Sequence, residues 1–123
     1  MKEKNYQTIF NHWVKNVYKH TAAFELKLCR GNSLPFSAVA PHQIEALKAV
    51  NEGGLVYKIP DMGYQTPFDA FALFNAPAFV VIKYKDSFEL ITISNFLYAR
   101  DKSKRKSLTY AEAKKLSTIS IKL

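Results

Sequence analysis

Phe24, Leu26 and Leu28 alternate with Glu25, Lys27 and Cys29 along the segment Ala23-Phe24-Glu25-Leu26-Lys27-Leu28-Cys29. A period of two belongs to a half-buried strand, so this segment commits the chain to a sheet with a covered face. The same period puts Glu25 and Lys27 side by side on one strand face. A carboxylate can hold a divalent cation, and a neighbouring ammonium can position a water or steady a developing negative charge. That pair of capabilities is what phosphodiester cleavage requires.

The triplet alone is a weak signal, because Glu-x-Lys arises by chance in roughly one of every two or three chains of this size. Glu112-Ala113-Lys114 is a second copy in the same chain. There Thr109, with Glu112 three residues on, has the pattern of a capping box. Glu112 is expected to close a helix start and Lys114 to be solvated. The first copy differs in lying on a strand and in the residues downstream of it.

At 123 residues the chain is expected to form one domain, residues 1–123, with a core of its own. A hydrophobic content of 48% excludes a disordered chain. No segment reaches the ~18 uninterrupted apolar residues of a membrane span, and the most apolar one, Ala70 to Ile82, is interrupted by Asn75 and Pro77. Met1-Lys2-Glu3-Lys4-Asn5 lacks the apolar core of a signal peptide. A single cysteine, Cys29, excludes an internal disulfide framework and suits a reducing cytoplasm, and zinc fingers are excluded for want of ligands. The expected partners therefore do not include a membrane.

The net charge of +8 favours a polyanionic partner, since neutralising phosphates releases counterions. Arg100, Lys102, Lys104, Arg105 and Lys106 fall close together and are the candidate nucleic-acid contacts, against the plainer reading of a solvated loop that aids solubility.

Along the chain, Tyr6, Ile9, Phe10, Trp13, Val17 and Tyr18 recur at helical spacing and predict an amphipathic helix over 5–19. After the Glu25 strand come a loop over 30–35 and a helix from Pro41 that stops at Gly53-Gly54. Leu55 to Ile59 reads as a strand and Pro60 to Thr66 as a loop. Phe68 to Phe74 and Ala78 to Tyr84 read as a hairpin joined near Asn75-Ala76, and Phe88 to Ile93 as a further strand. A helical stretch from about Asn95, the basic run, the capped helix at 110–116 and a short tail complete the chain. The sum is a mixed α/β domain with a central sheet of about five strands flanked by helices.

Metal-assisted phosphodiester chemistry draws hard oxygen ligands from separate elements. Asp69, in Pro67-Phe68-Asp69, would supply one from a strand adjacent to that of Glu25, the alternative being a residue that starts a strand. Asp61, after Pro60, is the second choice, although a turn role suits it better. Gln43 falls in the first turn of the second helix, where backbone N–H groups and the helix dipole favour anions, or it is an exposed amide without a role. His42 is as readily a surface residue as a ligand. Ser33, in the preceding loop, is a weak candidate for phosphate contact. His12 and His20 have no recognised metal spacing and read as structural or solvated.

Phe24-Glu25-Leu26-Lys27, Ser33-Leu34-Pro35-Phe36 and Pro41-His42-Gln43-Ile44-Glu45-Ala46-Leu47, with Gly53-Gly54, together resemble the core of RecU-type Holliday-junction resolvases. These belong to the PD-(D/E)XK nuclease superfamily, and phage-encoded members look especially similar. In that family a strand bearing Glu-x-Lys is followed by a loop, a helix whose start carries glutamine, and another strand. The likeness covers about residues 23–59.

The family places its aspartate hairpin before the Glu-x-Lys strand, whereas Pro67-Phe68-Asp69 comes after it here. Val81-Ile82-Lys83 stands where a Glu-x-Lys would close such a hairpin, and Val81 cannot bind metal. A circularly permuted arrangement reconciles the two, with Glu25 and Lys27 working with Asp69. The resemblance implies a restriction-endonuclease-like fold and a Mg²⁺-dependent endonuclease, with Mn²⁺ as a substitute, acting on branched DNA as a homodimer. Glu25 and Asp69 would be metal ligands, Lys27 would orient the attacking water and Gln43 would support the site. The competing expectations are a restriction- or repair-type nuclease of the same fold, and a basic DNA-binding protein with a degenerate nuclease fold.

Overall fold

A computed structural model describes residues 3–59 and 69–123. The chain runs as helix α1 (Glu3–Trp13), strand β1 (Ala23–Leu28), strand β2 (Ser33–Pro35), helix α2 (Pro41–Glu52), strands β3 (Gly54–Ile59), β4 (Asp69–Phe74), β5 (Ala78–Lys83) and β6 (Ser87–Thr92), helix α3 (Ile93–Lys102), strand β7 (Ser107–Thr109), helix α4 (Tyr110–Leu116) and strand β8 (Ile119–Lys122). It is a mixed α/β protein whose main sheet has four strands in the order β1-β5-β6-β8. β1 is parallel to β5, while β5–β6 and β6–β8 are antiparallel. Among the described residues no helix is long and apolar enough to cross a membrane.

β5 is buried along its whole length. Phe79 and Val81 join Tyr6 and Phe10 of α1 and Phe24, Leu26 and Leu28 of β1 in one apolar layer. Val80 and Ile82 face the opposite layer, with Ile44, Leu47 and Val50 of α2 and Phe96 of α3. A strand covered on both faces reads as a continuous apolar run, as Ala78-Phe79-Val80-Val81-Ile82 does. β1 instead keeps its alternation, because only its α1 face is wholly apolar.

The amphipathic helix is present from Glu3, but its last turn widens into a π-helical segment, Val14–Tyr18. That segment closes at Lys19, where φ is 57° and the backbone N–H donates to Val14 O at 2.8 Å. The wider turn breaks the 3.6-residue register, so Val17, expected on the apolar face, is 65% exposed. Trp13 is retained by stacking on Phe10 and Tyr18.

The hairpin expected over 69–84 does not form. β4 pairs with β3 in a separate two-stranded arm, and β5 pairs with β1 and β6. The chain changes direction at Asn75, whose φ is 50°, a conformation that asparagine tolerates better than most residues. Asn75 N–H donates to Gly53 O at 3.0 Å and Ala76 N–H to Val50 O at 3.2 Å, which anchors the turn on the C-terminal end of α2. Losing β3 and β4 to the arm, and gaining β8 from the expected tail, leaves four strands in the sheet instead of about five. The loop read over 60–66 lies outside the described residues.

Glu89 is a fully buried carboxylate in β6. It accepts hydrogen bonds from the hydroxyls of Ser87 at 2.5 Å, Ser120 at 2.8 Å and Ser117 at 3.0 Å, which join β6, β8 and the end of α4. Burial pushes the nearby Tyr84 hydroxyl above the usual phenol range, and Cys29, Glu89 and Glu112 push it in the same direction. Leaving a buried acceptor without its donor costs about 1–3 kcal/mol. Ser117→Ala and Ser120→Ala should each lower the unfolding free energy by about that amount in urea titrations.

The capping box of α4 forms as its spacing requires. Thr109 Oγ1 accepts from Glu112 N–H at 3.2 Å, and Glu112 Oε1 accepts from Thr109 N–H at 3.2 Å. The Thr109 side-chain and backbone hydrogen bonds hold the Glu112 carboxyl below its ordinary pKa of 4.5. A depressed carboxylate contributes stability above its unfolded pKa and loses it as pH falls through its folded value. The stability gap between the wild type and Glu112→Gln should therefore be full at neutral pH and close progressively below pH 4.5, read by urea unfolding at successive pH values.

Candidate active site

Glu25 and Lys27 share the face of β1 turned toward α2, since Phe24, Leu26 and Leu28 occupy the α1 side. Lys27 Nζ lies 3.3 Å from Glu25 Oε1, with side chains 22% and 27% exposed respectively. The pair is opposite Val80 and Ile82 of β5, whose side chains offer no competing polar group. β1 is an edge strand of its sheet, so its outer side is unpaired within that sheet.

Glu25 opens into a cleft of about 550 Å³ that is also lined by His42, Gln43 and Ala46 of α2 and Leu73 of β4. Pro41 opens α2 at the position where a missing N–H costs nothing. Ala40 precedes it and has no side-chain oxygen, so the N-terminal N–H groups lack an ordinary cap. Gln43 reaches back instead: its Oε1 accepts from Ala40 N–H at 2.9 Å. This is half of a capping box and a structural role that the sequence did not disclose. The amide NH₂ of Gln43 is the part left for a ligand in the cleft. His42 beside it is exposed.

Asp69 is not on a strand adjacent to that of Glu25. It is the first residue of β4, opposite Ile59 of β3, while the strand paired with β1 is β5. β4 does border the cleft through Leu73, but Asp69 precedes Leu73 by four positions, about 13 Å of extended strand. Asp61 lies outside the described residues. Among the described residues no group of three or more His, Cys, Asp or Glu side chains gathers as a metal site. Glu25 is the carboxylate among the described residues lining the cleft. Mg²⁺ is commonly held by one or two carboxylates together with substrate phosphates and water, so Glu25 meets the lower limit of that donor set. Lys27 engages Oε1 of Glu25.

Val81, the residue that stands where an acid would complete a second Glu-x-Lys, is fully buried in the α1 layer. A carboxylate at that position would face away from Glu25. Lys83 is buried and donates from Nζ to the carbonyls of Tyr84 and, at 3.1 Å, Lys85, so it closes the end of β5. Together with Arg30 and Lys85 it lines a second cleft at the C-terminal end of β1. Arg30, three residues beyond Lys27, was the available signal for that basic surface.

Ser33 is exposed at the start of β2, opposite Thr109 of β7. The basic run is only partly a loop. Arg100 and Lys102 belong to the last turn of α3, where cations complement the helix dipole, and Arg100 Nε donates to Asp101 Oδ1 at 3.1 Å. Lys104, Arg105 and Lys106 occupy the connection to β7. His12 is exposed and its Nδ1 lies 3.2 Å from Asn16 Nδ2, while His20 packs edge-on against Tyr18.

No protein-family model, curated protein or solved structure matches the chain.

The Gln43 cap generates a direct expectation. Gln43→Ala should destabilise the fold by about 0.5–2 kcal/mol, the range for losing an N-terminal cap, as measured by urea unfolding. Gln43→Glu, which retains the acceptor at the same reach, should keep most of that stability.

Proposed function

We propose that the protein is a Mg²⁺-dependent DNA endonuclease of restriction-endonuclease-like fold, similar to the RecU-type junction resolvases and acting on branched DNA as a homodimer. The observation that carries this reading is the Glu25–Lys27 pair, held 3.3 Å apart on one strand face beside the first turn of α2. The order β1, α2 with Gln43 in its first turn, then β3 agrees with the order that the resemblance implies, although the short strand β2 stands where a loop was expected. The net charge of +8 supplies the attraction to a phosphate backbone.

In this reading Glu25 is the metal ligand in the cleft, with water and substrate phosphates completing the donor set; Asp69, on a different sheet, is not assigned to it, and Asp61 is the remaining candidate for a second carboxylate. Mg²⁺, when bound, polarises the phosphoryl group and acidifies a coordinated water. Lys27 holds a positive charge where negative charge grows on the phosphoryl oxygens and restrains Glu25 through their ion pair. The Gln43 NH₂ offers a neutral donor on the opposite wall of the cleft. A two-fold dimer would present two such sites to the paired strands of a junction. For the dimer contact, Phe10 is buried within the chain, while Ile9 and Val17 are exposed and offer apolar surface on the first helix and its π-helical end.

The decisive experiment is cleavage of a four-way junction and of a linear duplex in Mg²⁺, with sedimentation of the same preparation with and without junction DNA. Wild-type protein should nick the junction. Glu25→Gln should abolish cleavage with DNA affinity retained, and Lys27→Ala should slow it by about 10²-fold or more. Combined neutralisation of Lys104, Arg105 and Lys106 should flatten the salt dependence of binding. Cleavage that survives Glu25→Gln overturns the assignment of the site. DNA binding without cleavage at any metal concentration favours the non-catalytic DNA-binding alternative.

A further inference from the structure

Across the first turn of α2 from His42 and Gln43, Pro41 and Ile44 line a groove of about 590 Å³. Its floor is apolar, formed by Phe36, Val39 and Ile44, all buried. Its rim is cationic, formed by Arg100, Lys104, Arg105 and Lys106. A smaller groove of about 310 Å³ adjoins the first at Phe36 and Ser103, which line both. The smaller one carries Tyr98, which is 63% exposed.

Charge is unevenly spread along this track. Near Tyr98 the cations have acidic company, since Glu112 lines the smaller groove beside Lys102 and Lys115; on the rim of the larger groove Arg100 is paired with Asp101. Lys104, Arg105 and Lys106 line the larger groove, where the described lining holds no carboxylate, although the charge of Arg105 is felt by Glu112. The track therefore has an aromatic end and an anion-attracting end.

A duplex matches only half of these features. Its phosphates suit the rim, but its bases are stacked inside and present nothing to a concave apolar floor. An acidic peptide likewise matches the rim and leaves the exposed ring unused. A nucleotide out of its stack carries a flat apolar ring and a phosphate on one short unit, and each groove falls in the roughly 300–1,000 Å³ range of small-ligand pockets. Aromatic platforms beside basic residues are the usual means of holding single strands without regard to sequence.

We propose that the two grooves form a binding site for an unpaired nucleotide of a single strand, with its base against Tyr98 over the Phe36 floor and its phosphate at Lys104, Arg105 and Lys106. This rests on the reading of the protein as nucleic-acid-binding, and names an unpaired segment as the feature it recognises in its DNA. It does not depend on cleavage.

The test is equilibrium binding in EDTA, so that no metal-dependent reaction intervenes. The probes are a short oligothymidylate, the same strand with abasic positions, a duplex of equal length, and polyglutamate of equal charge. Wild-type protein should bind the intact strand about tenfold more tightly than the abasic strand, the scale of one stacked base. Tyr98→Ala should reduce that ratio to about twofold or less with duplex affinity unchanged, whereas Tyr98→Phe, which keeps the ring, should retain it. Equal affinity of the wild type for intact and abasic strands overturns the proposal, as does polyglutamate bound as tightly as oligothymidylate. Because the wild-type comparison is decisive alone, misfolding of a variant does not rescue the idea. A preference for intact strands together with inactivity on junctions removes the nuclease reading and leaves this one. Junction cleavage without the preference does the reverse.

Discussion

Burial of β5 on both faces is the constraint on which the other elements depend. Parallel pairing between β1 and β5 cannot be made by a tight turn and requires a crossover that covers one face of the sheet. The segment that crosses over contains α2, and the apolar side chains of Val80 and Ile82 demand a helix there. Glu25 and Lys27 stand opposite those same two residues in the strand register. The helix that seals the core therefore starts beside the carboxylate. The cleft is a product of how a parallel pair is closed, and Glu25 and Lys27 stay partly exposed because β1 is the last strand on that side.

Much of this was legible in the residues and some was not, for reasons that can be named. The β1 alternation, the Pro41 start of α2 and the Thr109–Glu112 box are local signals, and each produced its element. The stretch from 69 to 83 failed because strand periodicity does not encode a partner. Two apolar runs separated by a turn suit a hairpin, and they suit equally two strands that part company at Asn75. The decision rested on long-range register and on the hydrogen bonds from Asn75 and Ala76 to the end of α2. β2 and β7 are three residues each, too short to give a pattern. At Val17 a local π turn overrode a helical period that the sequence displays clearly.

The candidate site was legible to the extent that it is local. Glu25 and Lys27 are neighbours by strand geometry alone, and their ion pair needs no tertiary information. The link between Glu25 and Asp69 was a tertiary inference, and the β3–β4 pairing places Asp69 on a different sheet. Gln43 is the instructive intermediate. Its place in the first turn of α2 was legible from Pro41, yet what that place requires was set by Ala40, a residue unable to cap a helix. An amide that holds a helix start with its oxygen has a fixed orientation, and its remaining donors are preorganised for whatever enters the cleft.

The three serines around Glu89 have a consequence for the order in which the chain acquires its structure. Residues 117 and 120 lie far along the chain from β6, so a growing polypeptide carries Glu89 well before two of its three hydroxyl partners exist. A carboxylate sealed in an apolar layer without those partners is strongly unfavourable, and burial of this one must wait. The inner strands can collapse early around β5, but β6 cannot settle into its final depth until the segment carrying Ser117 and Ser120 arrives. The serine cluster thus ties full closure of β6 to the arrival of β8.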